Sequence, residues 1–357
     1  LEPDAELSAG TRTVDALVTQ ATGEIALHLD HHLTVYNVAF VRPEDDAITW
    51  VHEDGLIRVT SAAGLALGTE FELTVTYGGA PRVAPRPPWD GGFTWARTPS
   101  GEPWIATTCQ GEGADLWWPC KDHPSDKPDR GMDLKITVPD GLVVAANGVL
   151  VADTPNVQEG TRTWHWRTEL PISNYCVALN AAPYVRIEAE ATSVTGEPLP
   201  FSFWCLPESE ADARAILPEF VDHMRFFEET CGPYAFRGEK YGVVQTPHLG
   251  MEHQSIIAYG NEFREGPWEY DWLHHHELAH EWWGNLVTCA DWKDMWVHEG
   301  IGTYMQPLYL EQRFGKLAYM TEMAKQRGQL RNEKPVAPRR SMDSKQIYFT
   351  RDGSFDN

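Results

Sequence analysis

The five residues His276-Glu277-Leu278-Ala279-His280, followed across eighteen residues by Glu299, constrain this chain more than any other feature. Histidines four apart on a helix project from one face, so both imidazoles reach one ion only if the segment is helical. The glutamate between them can stand beside a water at that ion without being a ligand. Catalytic zinc sites take three protein ligands and leave a fourth position to water. His276, His280 and Glu299 supply a two-histidine, one-carboxylate set of this kind, with Glu277 as the base. For the pentapeptide alone, the plain alternative is a helix with a hydrated His/Glu face.

A length of 357 residues suggests two domains, or three, each able to bury a core. Lys and Arg number 29 against 52 Asp and Glu, a formal charge of -23. Such a chain repels phosphate backbones, which argues against nucleic-acid partners. The charge suits a site that collects cationic groups such as a free amine, although a solvated acidic surface is the commoner cause. No apolar run approaches the roughly 20 residues of a membrane span. The stretch from Gly141 to Ala152 is too short and is interrupted by Asn147. The chain begins at Leu1, and its compartment stays open: a soluble protein, either cytoplasmic or periplasmic and secreted. The six cysteines form no Cys-x-x-Cys pair, so most are expected to be free and buried, although Cys109 and Cys120 could pair.

Residues 1 to about 200 read as β, in short runs separated by Gly, Pro and Asp turns. Such runs include Ala26 to Leu29, Phe71 to Tyr77, Leu134 to Val138 and Thr161 to Trp166. The Pro- and Gly-rich stretch from Ala84 to Gly92 is a loop. The pattern then becomes helical, with Ala211, Ala215, Ile216, Phe220, Val221, Met224 and Phe227 at helical spacing between Glu208 and Glu229. Asp271 to Leu286 is expected as the metal-bearing helix. Glu299 to Phe314 is expected as another helix, broken or ended near Pro307. Gln329 to Asn357 reads as polar loop. These changes divide the chain into a β domain, 1–203, and a catalytic domain, 204–357.

Three blocks in order resemble the zinc aminopeptidases of the aminopeptidase N and leukotriene hydrolase family, gluzincins with an HExxH-x18-E zinc set. The first is Thr108-Cys109-Gln110-Gly111-Glu112-Gly113, running into Trp118-Pro119-Cys120-Lys121-Asp122 and Lys127-Pro128-Asp129. The second, Leu249-Gly250-Met251-Glu252-His253-Gln254, is similar to that family's Gly-x-Met-Glu-Asn exopeptidase signature. The third is the zinc set, ending in Trp296-Val297-His298-Glu299-Gly300. The resemblance implies a saddle-like β-sheet domain followed by a truncated thermolysin-like, mainly helical zinc catalytic domain. It implies one zinc ion per chain on His276, His280 and Glu299, with Glu277 as general base. It further implies capture of a peptide's free α-amine by Glu252 and Gln110, with Gly250 and Met251 offering backbone groups as an edge strand does. A carboxylate and an amide oxygen can both accept from an ammonium. His274 and His275 are expected to pack or support, because one helix face cannot hold three adjacent histidines. The tryptophans Trp268, Trp272, Trp282, Trp283, Trp292 and Trp296 are expected in the core.

Some residues depart from that pattern. His253 stands where Asn is usual and Leu249 where Gly is usual, and His298 and Gly302 also replace commoner residues. These changes bear on substrate preference and not on the metal. The family's oxyanion-stabilising tyrosine is expected beyond residue 357, and the surroundings of Tyr348 do not match it. The chain is therefore expected to be part of a longer enzyme whose C-terminal portion completes it. Epoxide hydrolysis, as in the leukotriene hydrolase branch, would need a long apolar channel. A scaffold without turnover would have no use for Glu277.

Overall fold

The computed structural model describes residues 1–43, 47–331 and 333–349. Alternation of apolar and polar residues builds the first half. In the strand Glu70–Gly79 the residues Phe71, Leu73, Val75 and Tyr77 point inward, and each intervening residue faces less buried surroundings. This strand lies between Ser8–Leu17 and Leu33–Arg42 in an antiparallel sheet. A second three-stranded sheet orders Thr22–His28, Leu56–Leu65 and Ile48–Glu53. Leu29, Leu33, Ile57, Leu73 and Val75 belong to one buried cluster that these two sheets share. Two further sheets, one around Thr161–Thr168 and one containing Pro103–Thr108 and Leu179–Ala182, enclose a cluster with Trp164, Trp166 and Ile136. The expected strands are all present, and Ala84 to Gly92 is loop joined by an Arg86–Asp90 bridge.

The fifth sheet carries the site. Its order is Val185–Thr192, Pro198–Cys205, Tyr241–Gln245, Ile257–Tyr259 and Gly250–Met251, which makes Gly250–Met251 an edge. Strands 198–205, 241–245 and 257–259 run parallel. Residue 203 lies inside one of these strands, and both strands that precede residue 206 belong to this sheet.

Among the described residues five α-helices follow: α1 (Glu210–Cys231), α2 (Trp272–Ala279), α3 (Glu299–Phe314), α4 (Lys316–Gln329) and α5 (Ser344–Phe349). α1 buries Ala213, Leu217, Phe220, Met224 and Phe227 against the fifth sheet, whereas Ala211 and Ala215, expected on the apolar face, are exposed. α3 runs through Pro307 without ending. Proline removes one hydrogen bond and costs about 3 kcal/mol inside a helix, and burial of Met305 before it and of Tyr309 and Leu310 after it offsets that cost. α5 lies within Gln329 to Asn357, so that stretch is not all loop as expected; its residues 350–357 lie outside the described residues. α4 buries only Ala318 and Glu322. The architecture is thus a β-rich half with open sheets followed by a helical catalytic segment. No helix among the described residues is long and apolar enough to cross a membrane.

Candidate active site

α2 begins where it does because Asp271 caps it. Asp271 Oδ1 accepts from the His274 backbone N–H at 2.9 Å, and Oδ2 accepts from Tyr259 Oη and from Asn261 Nδ2. Such a cap contributes about 0.5–2 kcal/mol. The rear of the helix is fixed by its two extra histidines. The His274 ring lies flat on Phe220, with centroids 3.6 Å apart and planes within 2°. Its Nε2 meets Tyr241 Oη at 2.9 Å, and its Nδ1 meets His223 Nδ1 at 2.9 Å. His275 packs among Phe226, Phe227 and Tyr309. Both rings are fully buried, so they are packing groups, as expected from their place beside the metal pair.

His276 and His280 therefore occupy the opposite face. Beyond His280 the helix is interrupted: Trp283 has φ -110° and ψ 78°, and Gly284 has φ 146°. The expected helix to Leu286 is thus shorter, and the Trp283 carbonyl turns back to lie 3.0 Å from His280 Nδ1. Glu299 opens α3. Beside it, buried His298 accepts from the Cys289 backbone N–H at 2.9 Å through Nε2. One turn on, a side chain at Gly302 would begin 3.2 Å from His280 Cε1, so glycine gives that ring its space.

The three donor atoms form a triangle. His276 Nε2 lies 3.2 Å from His280 Nε2, and Glu299 Oε2 lies 3.5 and 3.7 Å from those two nitrogens. Tetrahedral zinc with bonds of about 2.0–2.1 Å separates its ligands by about 3.3–3.4 Å. The donor set and its spacing therefore fit a tetrahedral ion. Burial lowers the His276 pKa and favours the neutral imidazole that a metal needs.

The nearby carboxylates do not behave alike. Burial, then the charges of Glu252 and Glu299, raise the Glu277 pKa well above the usual range. Burial, then repulsion from Glu299 against attraction from His280, raises that of Glu252. Burial works the same way on Glu299, but hydrogen bonding to His276 and the charge of His280 outweigh it and hold its pKa down. Glu299 is therefore held as the anion, whereas its surroundings favour the protonated form of Glu277.

Glu252 Oε1 accepts from Gln110 Nε2 at 2.6 Å and from Tyr175 Oη at 3.2 Å. Gln110 Nε2 also stands 3.3 Å from Glu299 Oε1. Glu252, Glu277 and His280 each place a polar atom within 4.8 Å of the others. A cavity of about 410 Å³ opens over this group, lined by Gln110, Gly250, Met251, Glu252, His276, Glu277, His280, Glu299 and Tyr348. Gly250 pairs with Tyr259 and Met251 with Ala258 at the sheet edge. A side chain at Gly250 would begin 2.6 Å from Glu277 Oε1, so glycine permits the close approach. All eight residues singled out from sequence for chemistry line this one cavity.

Sequence reasoning set Tyr348 aside, yet its hydroxyl lies 2.8 Å from Glu299 Oε1. Tyr175, on Glu252, carried no local signal. The tryptophan run divides: Trp282 is core at 4% exposure, whereas Trp272 and Trp296 are 36% and 40% exposed. Their solvent-facing sides correct the expectation that all six are core. All six cysteines are free, Cys109 and Cys120 included, and five are buried.

Comparison with known proteins gives a consistent result. Residues 1–176 match the Peptidase M1 N-terminal domain, and residues 271–351 match the Peptidase family M1 domain. Leucine aminopeptidase 2 of Emericella nidulans is 30% identical over 226 residues, covering 60% of this chain and 34% of the relative. Endoplasmic reticulum aminopeptidase 1 of Mus musculus is 24% identical over 325 residues, covering 83% of this chain and 33% of the relative. The chain thus spans about a third of the length of these curated relatives. An M1 zinc metallopeptidase from Deinococcus radiodurans has the same fold, with a TM-score of 0.77 and 23% identity over 92% of this chain and 72% of that one. With both domains matched in order, and the triangle of donors lying inside the second, the chain belongs to peptidase family M1.

Proposed function

We propose that this chain carries the zinc site and the amine clamp of an aminopeptidase, and that it is part of a longer enzyme. The observation that carries the reading is the placement of Glu252 and Gln110 beside a triangle of His276, His280 and Glu299 donors at tetrahedral spacing. On this reading His276 and His280 Nε2 and Glu299 Oε2 hold one Zn²⁺, the metal of the M1 family. When bound, the ion polarises the peptide carbonyl and makes water a better nucleophile at neutral pH.

The protein groups then have distinct work. Glu277 takes the proton of the attacking water and passes it to the departing amine; its raised pKa suits both steps. The sheet edge at Gly250–Met251 gives an extended peptide backbone hydrogen-bonding partners. Glu252 Oε2 and Gln110 Oε1 accept from the substrate's α-ammonium, and the buried carboxylate strengthens that bond. A clamp on the amine counts from the N-terminus and restricts cleavage to the first peptide bond. Peptides with a free N-terminus are accordingly the substrates.

The test is a comparison of aminoacyl and N-acetyl-aminoacyl anilides with the complete enzyme. Acetylation removes the charge and leaves Glu252 buried without its partner. Losing a hydrogen bond to a charged group costs about 1.5–3 kcal/mol, so kcat/KM should fall by one to two decades or more. Equal cleavage of blocked and free substrates would replace the clamp with an endopeptidase reading.

A further inference from the structure

Glu299 uses its two oxygens differently. Oε2 faces the imidazole pair, 3.5 Å from His276 Nε2 and 3.7 Å from His280 Nε2. Oε1 turns the other way and accepts from Tyr348 Oη at 2.8 Å and from Gln110 Nε2 at 3.3 Å. An oxygen already accepting two hydrogen bonds has both lone pairs engaged. It has little left for a cation on the far side of the carboxylate.

The element that brings Tyr348 here is anchored independently of Glu299. α5 packs Ser344 and Ile347 into the protein, at 1% and 3% exposure. Ser344 Oγ donates to the Gln110 carbonyl, and Lys345 pairs with Glu112 and lies 3.7 Å from Asp90. The same loop that supplies Gln110 therefore holds the helix that supplies Tyr348. Both donors on Oε1 belong to one unit, docked across the cavity from α2 and α3.

We propose that Tyr348 is a positioning residue for the metal: with Gln110, its hydroxyl ties down Glu299 Oε1, so that Glu299 offers the ion one oxygen and not two. The inference rests on the zinc reading of His276, His280 and Glu299. Its consequence is a coordination number. A carboxylate can bind an ion through one oxygen or both, and a second oxygen would take the position that a catalytic site keeps for water. Two donors aimed at Oε1 prevent that. Tyr348 Oη is closer to Glu299 Oε1 than to Gln110 Oε1, at 2.8 against 3.4 Å, whereas Gln110 Nε2 is closer to Glu252 at 2.6 Å than to Glu299 at 3.3 Å. Tyr348 is thus the nearer of the two donors on Oε1.

The probe is Co²⁺ in the complete enzyme, with the visible absorption of the ion reporting coordination number. Zinc affinity, measured by competition with a chelator, is the second readout. Tyr348→Phe keeps the ring and removes only the donor. Its Co²⁺ bands should weaken as the ion gains a ligand oxygen, and zinc should bind about 10–100-fold more weakly, the usual effect of losing a partner of a metal ligand. Tyr348→Leu, which also lacks the donor, should give the same spectrum, and thermal melting of both variants reports on folding. A variant that melts earlier but keeps the wild-type spectrum and affinity shows a merely structural role and overturns the proposal. If wild type itself binds neither ion, the zinc reading falls and this inference falls with it. Wild-type binding with an indifferent Tyr348→Phe removes the inference alone.

Discussion

The Gln110 amide nitrogen and Glu252 Oε1 stand 2.6 Å apart, although 142 residues separate them in the chain. The contact joins a loop of the β-rich half to the edge of the fifth sheet, so the proposed amine clamp would draw on both halves. Gln110→Ala removes this support and one acceptor for the ammonium. The loss of a hydrogen bond to a charged group, about 1.5–3 kcal/mol, should lower kcat/KM for free-amine substrates by one to two decades. N-acetylated substrates should change far less. Steady-state kinetics on matched pairs measures the difference, and equal losses on both would place Gln110 outside the clamp.

Removing a ligand should be separable from removing the base. His280→Ala leaves two donors of the triangle, too few for a stable tetrahedral site. Metal analysis of protein purified without added zinc should find about one ion per wild-type chain and a small fraction of that in the variant. Matching zinc contents would move the site elsewhere.

Glu277→Gln should keep its zinc and lose turnover by about 10²–10⁴ in the complete enzyme, as expected when a general base is deleted. The side chain is buried beside Gly250, and the amide is nearly the same size, so the fold should persist. Activity within a few-fold of wild type would assign the proton transfer to another group.

A stability prediction comes from outside the site. The Asp115 and Asp122 carboxylates crowd the space that a side chain at Gly113 would fill. Burial, then the charges of Asp122 and Asp30, push the Asp115 pKa up to about 7. In the unfolded chain an aspartate titrates near 3.9. The folded state therefore holds more protons between those values, and stability falls as pH rises from about 4 to about 7. Asp115→Asn carries no such charge. Its melting temperature should exceed that of wild type at pH 8 and differ less at pH 5. A wild-type advantage at pH 8 would contradict the assignment.

The proposed metal set could be picked out because its residues are close in the chain. His276, Glu277 and His280 lie on one helical turn, and only Glu299 comes from elsewhere. The alternating strands were legible for the same reason, since period two is written in consecutive residues. Tyr348 was not, because its role depends on α5 docking through Ser344 and Lys345 onto residues more than 200 positions earlier. α4 escaped because it lies on the surface and buries few residues, which leaves no apolar stripe to read. Pro307 misled in the other direction, because packing around Met305 and Tyr309 holds α3 together across a residue that weakens helices when they stand alone.

The interruption after His280 has a consequence for proton bookkeeping on that ring. A neutral imidazole carries one hydrogen, and either nitrogen can hold it. Because Trp283 leaves helical geometry, its carbonyl sits 3.0 Å from Nδ1 and can only accept. The hydrogen is thereby fixed on Nδ1, and the Nε2 lone pair is left pointing at His276 and Glu299. A regular helical turn at this place would return that carbonyl to the backbone ladder and let the ring choose its tautomer. The break at Trp283 and Gly284 thus favours, in the neutral ring, the tautomer that the proposed zinc site would need.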